Sequence, residues 1–135
     1  NKGIGPKPLA QVASGGEFSR FMFAIQYILA DKTSLPTLIL DEIDTGVSGE
    51  IALQLGRMMT KMAEKHQLIA ITHLPQIAAK GEAHFFVYKD SSSSKTISHI
   101  KQLTQKERIE EIAKMISGAK PSAKAVENAK ELMQL

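Results

Sequence analysis

From Phe18 onward, apolar residues fall at 18, 21, 22, 25, 28 and 29. That is the three- and four-residue spacing of an amphipathic helix, and Leu35-Pro36 ends it. Thr37-Leu38-Ile39-Leu40 follows as a short unbroken run, predicting a fully buried strand that stops abruptly at Asp41-Glu42-Ile43-Asp44. Gly46 and Gly49 mark a loop, after which Ile51, Leu55, Met58, Met59 and Met62 share one face of a second helix. Leu68 to Thr72 predicts another buried strand. Strand, helix and strand make a βαβ unit, so the two strands should be parallel and bring Asp41 and His73 to the same sheet edge. Open α/β sheets bind their ligands at that edge.

Pro75 suits the first turn of a short helix through Ala79, which Gly81 ends. Phe85–Tyr88 and Thr96–Leu103 flank the tract Ser91 to Ser94 and predict an antiparallel hairpin. Two amphipathic helices close the chain, one marked by Ile109, Ile112, Ala113 and Ile116, the other by Ala125, Ala129, Leu132 and Met133. No internal repeat interrupts this order.

With 135 residues and 43% of them apolar, the chain can bury one core. It has no cysteine, which excludes disulfides, thiolate metal sites and a cysteine nucleophile, and fits a reducing compartment. The longest apolar run, Phe21 to Ile25, is far too short for a membrane span, and no secretory signal opens the chain. Asn1 in place of Met points to an excised part of something longer. The net charge of +3 comes from residues 95–135, with eight basic and five acidic side chains. Interspersed lysines and glutamates favour a solvated helical surface there over a nucleic-acid contact.

Three constellations carry candidate chemistry. Ser14 and Glu17 in Ala13-Ser14-Gly15-Gly16-Glu17 have the spacing of a capping box, in which each side chain satisfies a free backbone N–H. Capping does not account for Gly15 and Gly16, which cost helix stability relative to alanine. Bare backbone at a helix start also admits an anion, so simple capping and phosphate contact both stand. Asp41, Glu42 and Asp44 place three carboxylates in four residues at a strand end, where mutual repulsion and partial desolvation are relieved by a divalent cation. Delivery by a buried strand favours the metal reading over an exposed acidic turn, with one carboxylate in the metal's shell and another orienting an attacking water. His73, on the same edge, is a candidate donor to a phosphate oxygen, while His66, His84 and His99 have no such company. No Gly-Lys pair exists, so the lysine-bearing phosphate loop is absent, and Gly3-Ile4-Gly5-Pro6-Lys7 cannot replace it because Pro6 lacks an N–H.

In order and spacing, these pieces resemble an ABC-type ATPase head. Ala13–Glu17 resembles the signature motif, Leu38–Glu42 the Walker B strand with its glutamate, and Ile71-Thr72-His73 the switch histidine. Val12–Arg20, Asp41–Gly49 and Ile71–Ile77 are similar, more narrowly, to the RecN family of bacterial double-strand-break repair ATPases related to the SMC proteins. The resemblance implies an α/β fold: the C-terminal lobe of an ABC/SMC-type P-loop ATPase head, with parallel strands, flanking helices, a β-hairpin and C-terminal helices. It implies that residues 1–135 form the C-terminal half of the head, with the Walker A half and a long coiled coil elsewhere.

On the same resemblance, ATP and Mg²⁺ bind between two heads of a homodimer. Asp41 would serve Mg²⁺, Glu42 would polarise the hydrolytic water and His73 would contact the γ-phosphate. Ser14, Gly15, Gly16 and Glu17, the signature, would act on the partner head's nucleotide. DNA and recombination proteins would be further partners, without a membrane, at the bacterial nucleoid in the cytoplasm. Two departures stand out: Ser48 occupies the usual D-loop aspartate position, and Asp44 replaces the threonine of transporter heads. Rival readings are another SMC-like chromosome-organising ATPase and a non-catalytic dimerisation module of the same fold. Intact Glu42 and Ser14 speak against the latter.

Overall fold

The computed structural model describes residue 8, residues 13–29, residue 32, and residues 35–90 and 96–134. The Gly3–Lys7 segment, Val12 and the tract Ser91 to Ser94 lie outside them. The chain divides into two compact units, Asn1–Thr72 and His73–Leu135.

In the first unit, α1 (Gly15–Leu29) precedes β1 (Thr37–Leu40), α2 (Gly49–Ala63) and β2 (Gln67–Ala70). The strands pair in parallel, Thr37 with Gln67 through Leu40 with Ala70. The Ile71 N–H extends the ladder to the Leu40 carbonyl at 2.9 Å. This is the expected βαβ unit, with α2 packed on β2.

The expectation of fully buried strands is corrected. Only Leu38 and Leu40 of β1 are buried, and β2 alternates between exposed and half-buried positions. A two-stranded sheet with helix on one side leaves its other face open, so Ile39 is 69% exposed and its register partner Ile69 47%. The helical stripes are corrected on the same ground. On α1 the buried apolar side chain is Phe23, whereas Phe18, Phe21, Met22, Ile28 and Leu29 of the expected stripe are exposed. On α2 the stripe runs through Ala52, Leu55, Met59 and Met62, and Ile51, about 100° round the helix from Ala52, points outward.

The second unit comprises α3 (Pro75–Ala78), the antiparallel strands β3 (Phe85–Asp90) and β4 (Ile97–Gln102), then α4 (Gln105–Ser117) and α5 (Ala123–Met133). Its core joins Ala78, Ala79, Ile112, Ala113, Ala125 and Ala129, with Ile109, Ile116, Leu132 and Met133 at its margin. Alanines at the α4–α5 contact let the two backbones come close. Each helix carries a local start signal. Thr104 and Glu107 form a complete capping box on α4, and the Ser122 hydroxyl accepts from the Ala125 N–H on α5.

Lys101 of β4 pairs with Glu107 as well, which lowers that carboxyl to about 2, the lysine bond acting first and the Thr104 N–H and hydroxyl adding to it. Arg108 ties α4 to the carbonyls of Gly81 and Glu82. Both faces of the hairpin are exposed, and on one of them Phe86, Tyr88 and His99 stack in series. Among the described residues, no helix is long and apolar enough to cross a membrane.

Candidate functional site

The first residues of α1 behave as the capping box requires. The Ser14 N–H and hydroxyl both donate to Glu17 Oε2, at 2.8 and 3.0 Å, and the Glu17 N–H donates to Ser14 Oγ at 3.3 Å. The Ser14 backbone N–H foremost, then its hydroxyl and the Arg20 charge, hold the Glu17 carboxyl below the usual carboxylate range.

The two glycines stand at close approaches that the sequence does not reveal. A Cβ on Gly15 would sit 2.9 Å from Glu42 Oε2. A Cβ on Gly16 would meet the Thr45 carbonyl oxygen at 2.7 Å and the Thr45 Cβ at 2.8 Å. The start of α1 therefore lies directly against the turn that follows β1.

That turn is built around Glu42. Its N–H donates to Asp41 Oδ1 at 3.0 Å, and its carbonyl accepts from the Thr45 N–H at 3.2 Å. Its φ of 57° lies in the left-handed region, which costs a residue with a Cβ about 1–2 kcal/mol. Arg20, from the second turn of α1, clamps the same segment: its Nη1 donates to the Thr45 carbonyl at 2.6 Å and to the Ile43 carbonyl at 3.3 Å.

The expected triple carboxylate cluster is not assembled. Asp41 and Glu42 are exposed rather than desolvated, whereas Asp44 is buried, with 2% of its surface accessible. Thr72 Oγ1 donates to Asp44 Oδ2 at 2.6 Å, so this carboxylate ties the turn after β1 to the chain leaving β2. Among the described residues, no group of three histidine, cysteine, aspartate or glutamate side chains is placed to hold a metal ion. Ser48 precedes α2 in extended backbone and makes no side-chain cap bond.

His73 follows Thr72 in the chain, is exposed, and opens the second unit. His66 is used structurally, with Nδ1 2.7 Å from the Leu35 carbonyl oxygen, and His99 stacks on Tyr88. Arg20 and Thr72 are the residues whose part in this site motif reasoning overlooks. A signal for Arg20 existed, since it lies four residues after Gly16 and so on the same helix face.

No family model matches the sequence. Among curated proteins, the DNA repair protein RecN of Haemophilus influenzae is 40% identical over 135 residues, taking in 100% of this chain and 24% of the relative. RecN of Vibrio cholerae is 42% identical over 133 residues, 98% of this chain and 24% of the relative. RecN of Deinococcus radiodurans is 42% identical over 126 residues, 93% of this chain and 22% of the relative. The chain thus spans about a quarter of the length of these relatives. Among solved structures, one from work on ATP-driven dimerization and DNA-stimulated activation of SMC ATPases superposes with a TM-score of 0.61. It is 19% identical and covers 87% of this chain and 70% of that one.

Parallel strands with flanking helices, an antiparallel hairpin and closing helices give the chain the α/β fold of an SMC-type ATPase head. Its sequence is similar to RecN proteins over practically its whole length.

Proposed function

We propose that residues 1–135 are the signature-bearing half of a RecN-like ATPase head, which binds and hydrolyses ATP between two heads to drive recombinational repair of double-strand breaks. The observation that carries this reading is the placement of Glu42. A carboxylate at the carboxyl end of a parallel strand, held in left-handed backbone against the glycines of a helix start, is positioned for more than solubility.

Asp41 and Glu42 offer exposed carboxylates at that strand end, and Asp44 is turned away. This donor set suits Mg²⁺, which is ordinarily held by one or two carboxylates together with substrate phosphates and water rather than by an all-protein cage. Asp41 would hold the ion, whose chemistry, when bound, is to offset charge on the β- and γ-phosphates. Glu42 would orient a water and take its proton as the water oxygen bonds to the γ-phosphorus and the bond to the ADP oxygen breaks. His73 would donate to a γ-phosphate oxygen.

Ser14 with the amides of Gly15 and Gly16 would meet the γ-phosphate held by the partner head, which requires the Ser14 hydroxyl to exchange its bond to Glu17 for one to phosphate. Glu17 would keep the helix start in shape. Ser48 would lie on the partner-facing loop. The exposed Ile39, Ile69 and Ile71 face of the sheet would be covered by the Walker A half of the head. DNA, recombination proteins and a nucleoid location in the cytoplasm belong to this proposal.

The test is made in the complete protein. Glu42→Gln should retain Mg-ATP binding and lose hydrolysis by on the order of a hundredfold, whereas Asp41→Asn should weaken Mg-ATP binding itself. Equal loss of binding in both variants would overturn this division of roles, and hydrolysis persisting in Glu42→Gln would overturn the site.

A further inference from the structure

We propose that Arg20 is a positioning residue that sets Glu42 for hydrolysis and thereby links the signature helix of a head to that same head's own catalytic carboxylate. The inference rests on the reading of Glu42 given above and extends it to a residue to which the motifs assign no role.

Three observations in the first unit carry it. Glu42 occupies a left-handed backbone conformation that a glutamate does not adopt on its own, so something around it must hold it there. The Arg20 guanidinium donates to the carbonyls of Ile43 and Thr45, the residues that complete this turn with Glu42. Gly16, four residues before Arg20, is in such close approach to Thr45 that a single methyl group would not fit.

Helix α1 thus grips the turn at two points one helical turn apart, and the Glu42 carboxylate lies so near Gly15 that a Cβ added there would come within 2.9 Å of Oε2. A charged donor on a backbone carbonyl is stronger than a neutral one, and its planar fork loses little freedom in making the bond. Arg20 is therefore suited to fixing a strained corner. The mechanical consequence follows from continuity of the helix. Ser14, Gly15 and Gly16 are proposed to meet the nucleotide of the partner head, and any displacement of that end of α1 is passed to Glu42 through Gly16 and Arg20. Each head would sense its neighbour's nucleotide and adjust its own hydrolytic residue.

The experiment uses the complete protein in its ATP-driven state and compares Arg20→Gln and Arg20→Lys with the parent. Expected for Arg20→Gln is a fall in kcat for ATP of about tenfold or more, with ATP affinity held within about twofold. Arg20→Lys, which keeps the charge and can reach a carbonyl, should recover part of the rate. Added to Glu42→Gln, Arg20→Gln should lower the residual rate no further, because the two act as a unit.

An unchanged kcat in Arg20→Gln overturns the inference, and so does a parallel loss of ATP affinity and rate, which marks a merely structural residue. If Arg20→Gln does not fold, Arg20→Lys decides alone, by whether kcat falls at unchanged affinity. Should Glu42→Gln itself hydrolyse ATP normally, the site reading fails. Should Glu42→Gln be inactive and Arg20→Gln fully active, only the inference about Arg20 fails.

Discussion

Replacing each of two neighbouring glycines by alanine should shift stability in opposite directions. In the first turn of α1, alanine is favoured over glycine by up to about 1 kcal/mol of helix propensity. At Gly15 the new methyl group would meet Glu42 Oε2 at 2.9 Å, the free end of an exposed side chain that can swing aside. The propensity gain should survive, leaving Gly15→Ala neutral or up to about 1 kcal/mol more stable.

At Gly16 the methyl group would lie 2.7 Å from the Thr45 carbonyl oxygen and 2.8 Å from its Cβ. Ordinary carbon contacts begin near 3.5 Å, so Thr45 would have to retreat by roughly 0.7 Å. Its backbone is held by the Glu42 carbonyl and by Arg20, so retreat also loosens those bonds. Overpacking of this kind costs about 1–3 kcal/mol, and the balance for Gly16→Ala is a loss of about 1–2 kcal/mol. Denaturant midpoints of the two variants, at unchanged m-value, measure this directly. Equal destabilisation, or a more stable Gly16→Ala, would refute the close approach of α1 to the turn. In the complete protein, Gly15→Ala should still slow hydrolysis, because it displaces the carboxylate while leaving stability intact.

Glu107 is held at about 2 by Lys101 and Thr104, so its contribution to α4 is complete above the usual carboxylate value of 4.5 and is lost as pH falls from there toward about 2. A carboxyl titration by NMR checks it, and a Glu107 midpoint near 4.5 would contradict the capping geometry. Thr72→Val should destabilise the fold by about 1–3 kcal/mol by depriving the buried Asp44 of the hydroxyl donor, measured by denaturation; no loss would mean the bond is unimportant. Lys101 and Lys114 are paired with Glu107 and Glu111, which raises both lysines' values. Changing Lys101, Lys114 and Lys124 to glutamate should therefore leave DNA affinity of the complete protein nearly unchanged, and a clear loss with a shallower salt dependence would show phosphate contacts.

What the sequence alone determined about this protein is what local rules govern. Spacing of apolar residues placed α1, β1, α2, the hairpin and the two closing helices, and a strand–helix–strand order made the β1–β2 pair parallel. Ser14 and Glu17 declared a helix start because a capping box spans only four residues. Exposure was decided elsewhere. Leu38 and Ile39 are equally apolar, yet one is buried and the other open, because burial depends on what lies over each face of the sheet. The same holds for Phe23 against the expected stripe of α1.

Only the tertiary structure could separate three carboxylates within four residues of sequence into two exposed groups and one buried on Thr72. It alone shows why Gly15 and Gly16 are glycines and what Arg20 holds. Their partners are a carboxylate and backbone carbonyls more than twenty residues away. A backbone carbonyl has no residue type, so no motif can announce it as an acceptor. Its availability is created by the turn, and the turn by the packing of α1 against it.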